Sequence, residues 1–221
     1  MTHHFAEIMF TPRVKELQTA YGSRGSYERL EAQADGSPER LTDKEAVFLA
    51  QRDSFYMATV SENGWPYVQH RGGPAGFLKV LDERTLGFAD FRGNKQFVSV
   101  GNLGHDGRVS IILVDYPNRR RLKILGRARV ADATTEPDLI AKLQLGDYNA
   151  RIERAVVITV EAVEWNCPQH ITPRFTEAEI TALVGPQVEE LKARIAALEA
   201  ENVSQPSPLR GFRRRGSDLR T

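Results

Sequence analysis

The densest group of polar side chains suited to holding an anion lies in the loop after an apolar strand, within residues 88–96. Gly93 permits a tight turn there, and Lys95 supplies a positive charge. Main-chain N–H groups at such a turn, and at the start of a helix directly after it, favour a phosphate or another anionic ligand. A charged loop leading into a solvated helix shows the same pattern, so both interpretations stay open. The residues that could contact a ligand are Asp90, Arg92, Asn94, Lys95 and Gln96.

Two other arginine-bearing segments could face a ligand. Arg71 precedes the glycine-rich stretch 72–76 at the end of a predicted strand. Glycines at that place permit close backbone approach to a flat ligand, and they suit an ordinary bulge or wide loop equally well. Arg119 and Arg121 head a further strand, on which a period of two places both on one face. That pair indicates either a binding surface or a solvated charge cluster.

The segment 165–175 joins a strand to a helix and holds Trp165, Cys167, His170 and Arg174. His170, and after it Cys167, are the side chains that could face a substrate, although a lone histidine or cysteine is more often structural than catalytic. Cys167 is the sole cysteine, which excludes an intrachain disulfide and a multi-cysteine metal site. The histidines are scattered without ligand spacing, so no metal site is predicted.

Short strands with tight turns must position these groups. Asn63-Gly64 is a strong hairpin signal because both residues accept positive φ. The pattern predicts a mainly β protein with flanking helices, of the α+β class, whose antiparallel sheet forms a barrel or a sandwich. No glycine-rich turn joins a strand to a helix in a βαβ setting, which disfavours a dinucleotide-binding Rossmann domain. The predicted strands are 55–61, 65–71, 77–81, 85–91, 108–115, 121–130 and 155–165.

Helices flank the predicted sheet along the chain. Thr42 with Glu45, and Thr176 with Glu179, have the spacing of capping boxes, and 135–145 also has a helical pattern. After the second box, apolar residues form an a/d seam two heptads long, which suits packing on the barrel or pairing with a partner. The seam consists of Val184, Val188, Leu191, Ile195 and Leu198. The predicted organisation is an N-terminal extension at 1–41, a core domain at 42–175, a helix at 176–203 and a disordered basic tail at 204–221.

The charge of the chain is unevenly distributed. Among 221 residues, 30 basic and 29 acidic side chains give a net charge of +1. Residues 204–221 hold five arginines against Asp218, which leaves 25 basic and 28 acidic side chains in the body. Nucleic-acid binding by this tail is disfavoured because Phe212 is its sole aromatic residue. The apolar runs are far shorter than the roughly 18 residues of a membrane span, and no secretory signal is evident, so a cytoplasmic protein is expected.

Taken in order, four segments resemble the pyridoxamine 5′-phosphate oxidase-like family of flavin-binding split barrels. The resemblance covers roughly residues 42–175. It implies an antiparallel split β-barrel of the FMN-binding type, acting as a homodimer with FMN in a cleft between the subunits. The segments are the Arg-Gly-Gly-Pro strand end at 71–74, the loop at 88–96, the strand start at 108–110, and the final segment from Trp165 to Phe175.

The resemblance also implies roles for the matched residues. Arg71 would contact the flavin phosphate or ring edge, and Asp90 would contact the flavin beside the loop that holds Asn94. Lys95 and Gln96 take the place of an Arg-Lys pair that grips the FMN phosphate, so that one positive charge is missing here.

Three further residues are matched outside that loop. Arg121 takes the place of a glutamine that reaches FMN from a neighbouring strand, and its charge would offset the missing one. Trp165 and Arg174 would approach the flavin from the partner subunit. The Arg-x-His pair with which the true oxidases bind pyridoxal phosphate is not reproduced before Arg174.

The resulting prediction is an FMN-dependent oxidoreductase of unassigned small-molecule substrate, related to the pyridoxamine 5′-phosphate oxidases without being one. His170 would be its candidate catalytic residue. The alternatives are a deazaflavin- or haem-binding split barrel and a non-catalytic flavin-binding sensor. For haem, the axial-ligand candidates are His70, His105 and His170. Neither a nucleic acid nor a membrane is expected as a partner.

Overall fold

The computed structural model describes residues 3–146, 148 and 150–204, and the chain divides into two compact units after Pro173. The tail predicted to be disordered lies, from residue 205 onward, outside the described residues. Along the first unit the elements are α1 His3–Met9, α2 Pro12–Ala20, α3 Arg24–Glu31, α4 Asp43–Ala50, β1 Ser54–Val60, β2 Pro66–Gly72, β3 Lys79–Asp82, β4 Thr85–Phe91, α5 Val98–His105, β5 Arg108–Asp115, β6 Arg120–Asp132, α6 Pro137–Leu143 and β7 Ile152–Asn166. In the second unit, α7 spans Glu177–Ser204.

The described strands form one antiparallel sheet in the order β2-β1-β5-β6-β7-β4-β3. β2 lies at one edge and β4 beside the other, yet Arg71 of β2 and Asp90 of β4 are joined by a 2.7 Å ion pair. Phe55 of β1 likewise packs edge-on against Phe88 of β4, with ring centroids 5.3 Å apart. The sheet therefore curls until its two edges meet through side chains, which is a barrel with a split. This confirms the predicted α+β class and antiparallel split barrel.

Hairpins connect the consecutive strands largely as the sequence predicts. In the first hairpin, however, only one residue of the Asn63-Gly64 pair uses its tolerance for positive φ: Gly64 has φ +84° and Asn63 is not in that region. The Gly64 N–H donates to the Ser61 carbonyl at 2.8 Å, and the strands pair from Val60 and Pro66 outward. The longer loop makes positive φ at Asn63 unnecessary.

β7 is the longest strand of the sheet and has apolar cover on both faces. Val156, Ile158 and Val160 point into the barrel core, as their alternation predicts. Ala155, on the other face, packs with Leu143 of α6, so this face is buried as well. Pairing with two other strands holds β7 in place, since β7 runs antiparallel to β6 along 154–166 and to β4 along 152–159.

The N-terminal helices belong to the first unit. Phe5 and Ala6 of α1 are buried, and α1 packs against β7. Glu39 accepts a hydrogen bond from the Val163 N–H at 2.5 Å and another from the His4 N–H at 3.2 Å. These bonds tie the segment before α4 to the outer side of the barrel.

The capping box predicted before α7 is present. The Thr176 N–H donates to Glu179 Oε2 at 2.8 Å, and the Glu179 N–H donates to the Thr176 hydroxyl at 3.2 Å. Pro186 lies inside this helix of 28 residues. Among the described residues, no helix combines the length and the apolar character needed to cross a membrane.

Candidate functional site

An open cleft lies at the split in the barrel, where β2, the end of β4 and the start of β7 meet the first turn of α5. It holds about 460 Å³ of empty space, counting the part open to solvent. The lining residues are Tyr67, Gln69, Arg71, Asp90, Phe91, Gly93, Asn94, Lys95, Gln96, Phe97, Val98, Ser99, Val100, Glu153 and Arg154. Five residues predicted from the sequence to bind a cofactor are thus brought to one place: Arg71, Asp90, Asn94, Lys95 and Gln96.

A buried ion pair forms the floor of the cleft. Arg71 Nη1 donates to Asp90 Oδ1 at 2.7 Å, and both side chains are largely buried. Asp90 also faces Arg154, whose Nε lies 3.8 Å from Oδ2. Arg71 Nε is buried and has no hydrogen-bond partner in the described part of the chain. A buried donor left in this state is costly unless something accepts its hydrogen bond, so an acceptor bound in the cleft would stabilise it.

The loop above this floor has a strained backbone. Lys95 and Phe97 adopt φ +59° and +55°, the left-handed region that non-glycine residues rarely occupy. Phe97 is the N-cap residue of α5 and supplies no side-chain hydrogen bond to the first turn. The Arg154 guanidinium carbon lies 5.0 Å from the centroid of the Phe97 ring. Strain of this kind persists where surrounding contacts enforce it, and it is common at ligand sites.

The first turn of α5 and Lys95 together offer donors to an anion. Main-chain N–H groups at the start of a helix have no partner within the helix and carry the positive end of its dipole. Val98, Ser99 and Val100 place that turn on the wall of the cleft. The Lys95 side chain is exposed and has no hydrogen bond or ion pair with any residue of 3–146, 148 or 150–204. The arrangement fits a phosphate-bearing ligand.

Arg154 is a cleft residue that the sequence did not single out. It stands opposite Asp90 in the pairing of β7 with β4. These residues are 64 positions apart in the chain, so only the strand register brings them together. Glu153 beside it bonds to Arg154 Nη2 at 3.1 Å and keeps this guanidinium in place.

Trp165 lies at the opposite end of β7, and Arg121 lies beside that end on β6. Arg121 pairs in register with Asn166, whereas Arg154 near the cleft is 12 residues earlier on the same strand. At ~3.3 Å per residue this separation is roughly 40 Å along an extended strand. Within one chain, these two predicted flavin contacts therefore do not join the cleft.

The Trp165 side chain makes polar and aromatic contacts within its own chain. Its indole N–H donates to Glu45 Oε1 at 2.5 Å, and its ring packs edge-on against Phe48 with centroids 4.8 Å apart. Lys44 Nζ lies 4.4 Å from the ring centroid. Glu45 also accepts the Thr42 N–H at 3.0 Å, which completes the predicted capping box. Burial alone would raise the pKa of Glu45, but the hydrogen bonds from Thr42 and Trp165 hold it below the usual value.

A second buried carboxylate, Asp115, lies at the turn between β5 and β6. It accepts hydrogen bonds from Arg120 Nη2 and from Asn118 Nδ2, each at 3.0 Å, and Arg52 Nη1 lies 3.6 Å away. Burial opposes ionisation, yet these donors lower the pKa of Asp115. Arg119 adopts φ +51° in the turn before β6, so the expected shared face of Arg119 and Arg121 is not formed.

The glycines after Arg71 are explained by packing inside the chain. A Cβ on Gly73 would lie 2.9 Å from Cγ of Phe77, and Gly76 has φ +79°. The Gly73 N–H donates to the Asp53 carbonyl at 2.9 Å. The stretch is thus a tight loop around Phe77, which is the second of the two interpretations that the sequence left open.

The remaining predicted residues lie elsewhere. His170 is exposed with φ +62°, Cys167 is exposed, and Arg174 begins the second compact unit. His70 borders a smaller groove beside Arg71, between β2 and β4. Within the described ranges, no three His, Cys, Asp or Glu side chains gather as a metal site would require.

No curated protein matches the chain in sequence. Among solved structures, an FMN-binding protein from Syntrophomonas wolfei is 14% identical (67% of this chain and 97% of that one covered, TM-score 0.43). HupZ of Group A Streptococcus is 16% identical (61% and 100% covered, TM-score 0.43), and an F420 reductase is 19% identical (53% and 94% covered, TM-score 0.38). No property of these three proteins is carried over to this chain.

The chain also matches the model of a protein family. The model of the family described as pyridoxamine 5′-phosphate oxidase matches residues 41–167, which takes in every strand of the barrel and the whole lining of the cleft. Because the match spans more than half of the sequence, this chain belongs to the pyridoxamine 5′-phosphate oxidase family.

Proposed function

We propose that the chain is a flavin-dependent oxidoreductase that holds FMN in the cleft and acts on a small-molecule substrate. The observation that carries this proposal is the convergence of Arg71, Asp90 and the 94–96 loop with the start of α5. Family membership supports it, and two of the four segments that carry the resemblance, the strand end at Arg71 and the loop within 88–96, contribute to the lining of the cleft.

In this proposal the chain's own residues bind and orient the cofactor. Lys95 and the main-chain N–H groups of 98–100 hold the phosphate. Asp90 fixes the Arg71 guanidinium through the 2.7 Å pair and leaves Arg71 Nε to donate to the ligand. A bound flavin supplies hydride or electron transfer itself, while the protein contributes position and electrostatics. Gln96, which is neutral where the motif has a lysine, is compensated by Arg154 on the facing wall.

The proposal includes a homodimer with the cofactor between the subunits. Arg121 and Trp165 are at the far end of β7 from their own cleft, so they would contact flavin only in the cleft of a second copy. Arg174, at the start of the second unit, is proposed to do the same. His170 remains the candidate for facing the substrate.

The first experiment identifies the cofactor. Purified full-length protein is expected to show the visible absorbance of an oxidised flavin, or to gain it on incubation with FMN, and the mass of the extracted compound should be that of FMN. Reduction by NADH or NADPH, followed anaerobically, then tests the oxidoreductase assignment. A colourless protein that FMN leaves unchanged would refute the proposal. A deazaflavin or haem mass would favour the alternative ligands, and a bound flavin that no reductant reduces would favour a sensor.

The second experiment tests whether the site is shared. Lys95→Ala and Arg174→Ala variants are each expected to bind FMN weakly as homodimers. Mixing them under conditions that exchange subunits should restore one intact site in each heterodimer. If both single variants stay dimeric and the mixture recovers no binding, each site lies within one chain.

A further inference from the structure

The helix α7 presents an exposed apolar stripe along much of its length. It spans Glu177–Ser204, or 28 residues, which is about 42 Å at 1.5 Å per residue. Apolar side chains on a helix are normally buried against another element, so a stripe of this length indicates a missing partner. Its residues with their exposed fractions are Val184 38%, Val188 41%, Leu191 58%, Ile195 55% and Leu198 52%.

The residue types in the stripe favour one particular partner. In heptad notation, Val188, Ile195 and Asn202 fall at a positions, and Val184, Leu191 and Leu198 fall at d positions. β-branched residues at a with leucine at d favour parallel two-stranded coiled coils. A single asparagine at an a position, as at Asn202, fixes the register of such a pair.

The charges beside the stripe agree with that arrangement. Arg194 is at a g position and Glu199 at the following e position. In a parallel, in-register pair, a g residue faces the e residue five positions later on the other helix. Two Arg194–Glu199 ion pairs would therefore form across the interface, one on each side. The preceding g and e residues, Gln187 and Lys192, add no repulsion.

We infer that α7 pairs with α7 of a second copy of this chain as a parallel two-stranded coiled coil, beginning after Pro186. Proline lacks the N–H that a helix interior needs, so the regular seam starts beyond it. The seam is shorter than the three to four heptads of a confident coiled coil. It forms because the barrels hold two helices at the high effective concentration of a tethered pair. In this respect the inference rests on the homodimer of the proposed function.

Disulfide cross-linking of the full-length protein tests the pairing. Cys167→Ser first removes the exposed native thiol. In that background Leu198→Cys puts two thiols face to face at a d position, within the range that a disulfide can bridge. The matched control is Ala193→Cys, which lies five residues earlier on the same helix at the outward-facing f position. Oxidation is expected to convert most of the Leu198→Cys protein to a covalent dimer and to yield several-fold less from Ala193→Cys.

Equal cross-linking of both variants, or none at position 198, would overturn the inference. The absence of cross-linking at position 198 is expected both from an antiparallel pair of helices and from a helix packed on its own barrel. Charge reversal provides an independent check: Arg194→Glu and Glu199→Arg should each lower the cross-linked fraction of Leu198→Cys, and the double reversal should restore it. An unchanged fraction in all three variants contradicts the parallel register.

Flavin absorbance of each variant separates this inference from the proposed function. If Leu198→Cys cross-links in a protein that binds no FMN, the coiled coil stands and the flavin assignment fails. If FMN binds fully and position 198 does not cross-link, the flavin assignment stands and the coiled coil fails.

Discussion

Polar side chains near the two ends of β7 lie in different surroundings. At the end near Trp165, the carboxylates of Glu45 and Asp115 are buried, and each accepts hydrogen bonds from at least two donors. At the end near Arg154, Lys95 and the first turn of α5 face an open cleft. Buried polar atoms without a partner among the described residues occur at both ends, Arg71 Nε at the cleft and Arg121 Nε and Asn166 Oδ1 near Trp165, so the open cleft is what distinguishes the two ends.

This difference separates polar groups that stabilise the fold from those that could hold a ligand. A buried polar group whose hydrogen bonds are complete contributes to folding, and losing a partner is costly. An exposed donor at an open cleft, such as the Lys95 ammonium, contributes little to folding and is available to a bound anion. Substitutions at the two ends should therefore affect different measurements.

The largest effect is expected at Asp115. Asp115→Ala removes the buried carboxylate that neutralises the charges of Arg52 and Arg120. Removing one partner of a buried ion pair costs about 3 kcal/mol or more. The free energy of unfolding, measured in urea at neutral pH, should fall by that amount while FMN affinity of the folded protein changes little. Asp106→Ala is the control, because the Asp106–Arg108 pair is at the surface and its loss is largely screened. Equal costs for the two variants would show that Asp115 is not a structural anchor.

Lys95→Gln should have the next largest effect, and it should change FMN affinity rather than the free energy of unfolding. It removes a charged donor at the cleft, which we expect to raise the FMN Kd about tenfold, or ~1.4 kcal/mol, with the urea midpoint unchanged. Arg92→Gln is the matched control, since it removes the same charge three residues away, from a side chain outside the cleft lining. FMN titrations at low salt would compare the two. The proposal for Lys95 fails if Arg92→Gln weakens binding as much.

Trp165→Phe should produce a smaller effect, and it tests whether the two ends of β7 are independent. The variant keeps an aromatic ring against Phe48 but loses the hydrogen bond to Glu45, at a cost of about 1 kcal/mol in unfolding free energy. If Trp165 contacts the flavin of a second copy, FMN affinity should also fall, although less than in Lys95→Gln. Unchanged affinity with lowered stability would assign Trp165 to the fold alone.

The smallest effect is expected from pH, since only the difference between folded and unfolded pKa values contributes. The pKa values of Glu45 and Asp115 are lowered in the folded protein from 4.5 and 3.8. Their contribution to stability is therefore complete above those unfolded values and is lost as the pH falls through the lower folded ones. Thermal unfolding should be insensitive to these groups near neutrality and should weaken in acid. In Asp115→Ala this acid sensitivity should be smaller, and an equal sensitivity would contradict the assignment.

Much of the fold could be predicted from local pattern. Alternation of apolar residues, the Gly64 turn and the Thr42–Glu45 box act over a few residues, and the strands and capping boxes are found where these signals predict them. The glycines after Arg71 were ambiguous because the reason for them, the approach of Phe77, is a packing contact that spacing does not reveal.

The candidate site was predictable only in part, for the same reason. The loop 94–96 is contiguous, so its residues necessarily lie together, and Asp90 is four residues before it. Arg154 could not be found, since it joins the cleft through the pairing of two strands 64 residues apart. The length of β7 separates Arg121 and Trp165 from the cleft of their own chain, so the predicted contact of Trp165 with flavin from the partner subunit stays a prediction.

Local sequence patterns are sufficient to predict an α+β chain with antiparallel hairpins, a loop suited to phosphate and a helix with a heptad seam, because each of these depends on residues close together in the chain. Which charges are neutralised and which face the cleft depends on contacts between distant strands. The curl of the sheet brings Arg71 to Asp90, strand register places Arg154 opposite Asp90, and Trp165 is turned toward Glu45. Such partnerships depend on how the sheet curls, and no spacing in the sequence encodes that curl directly.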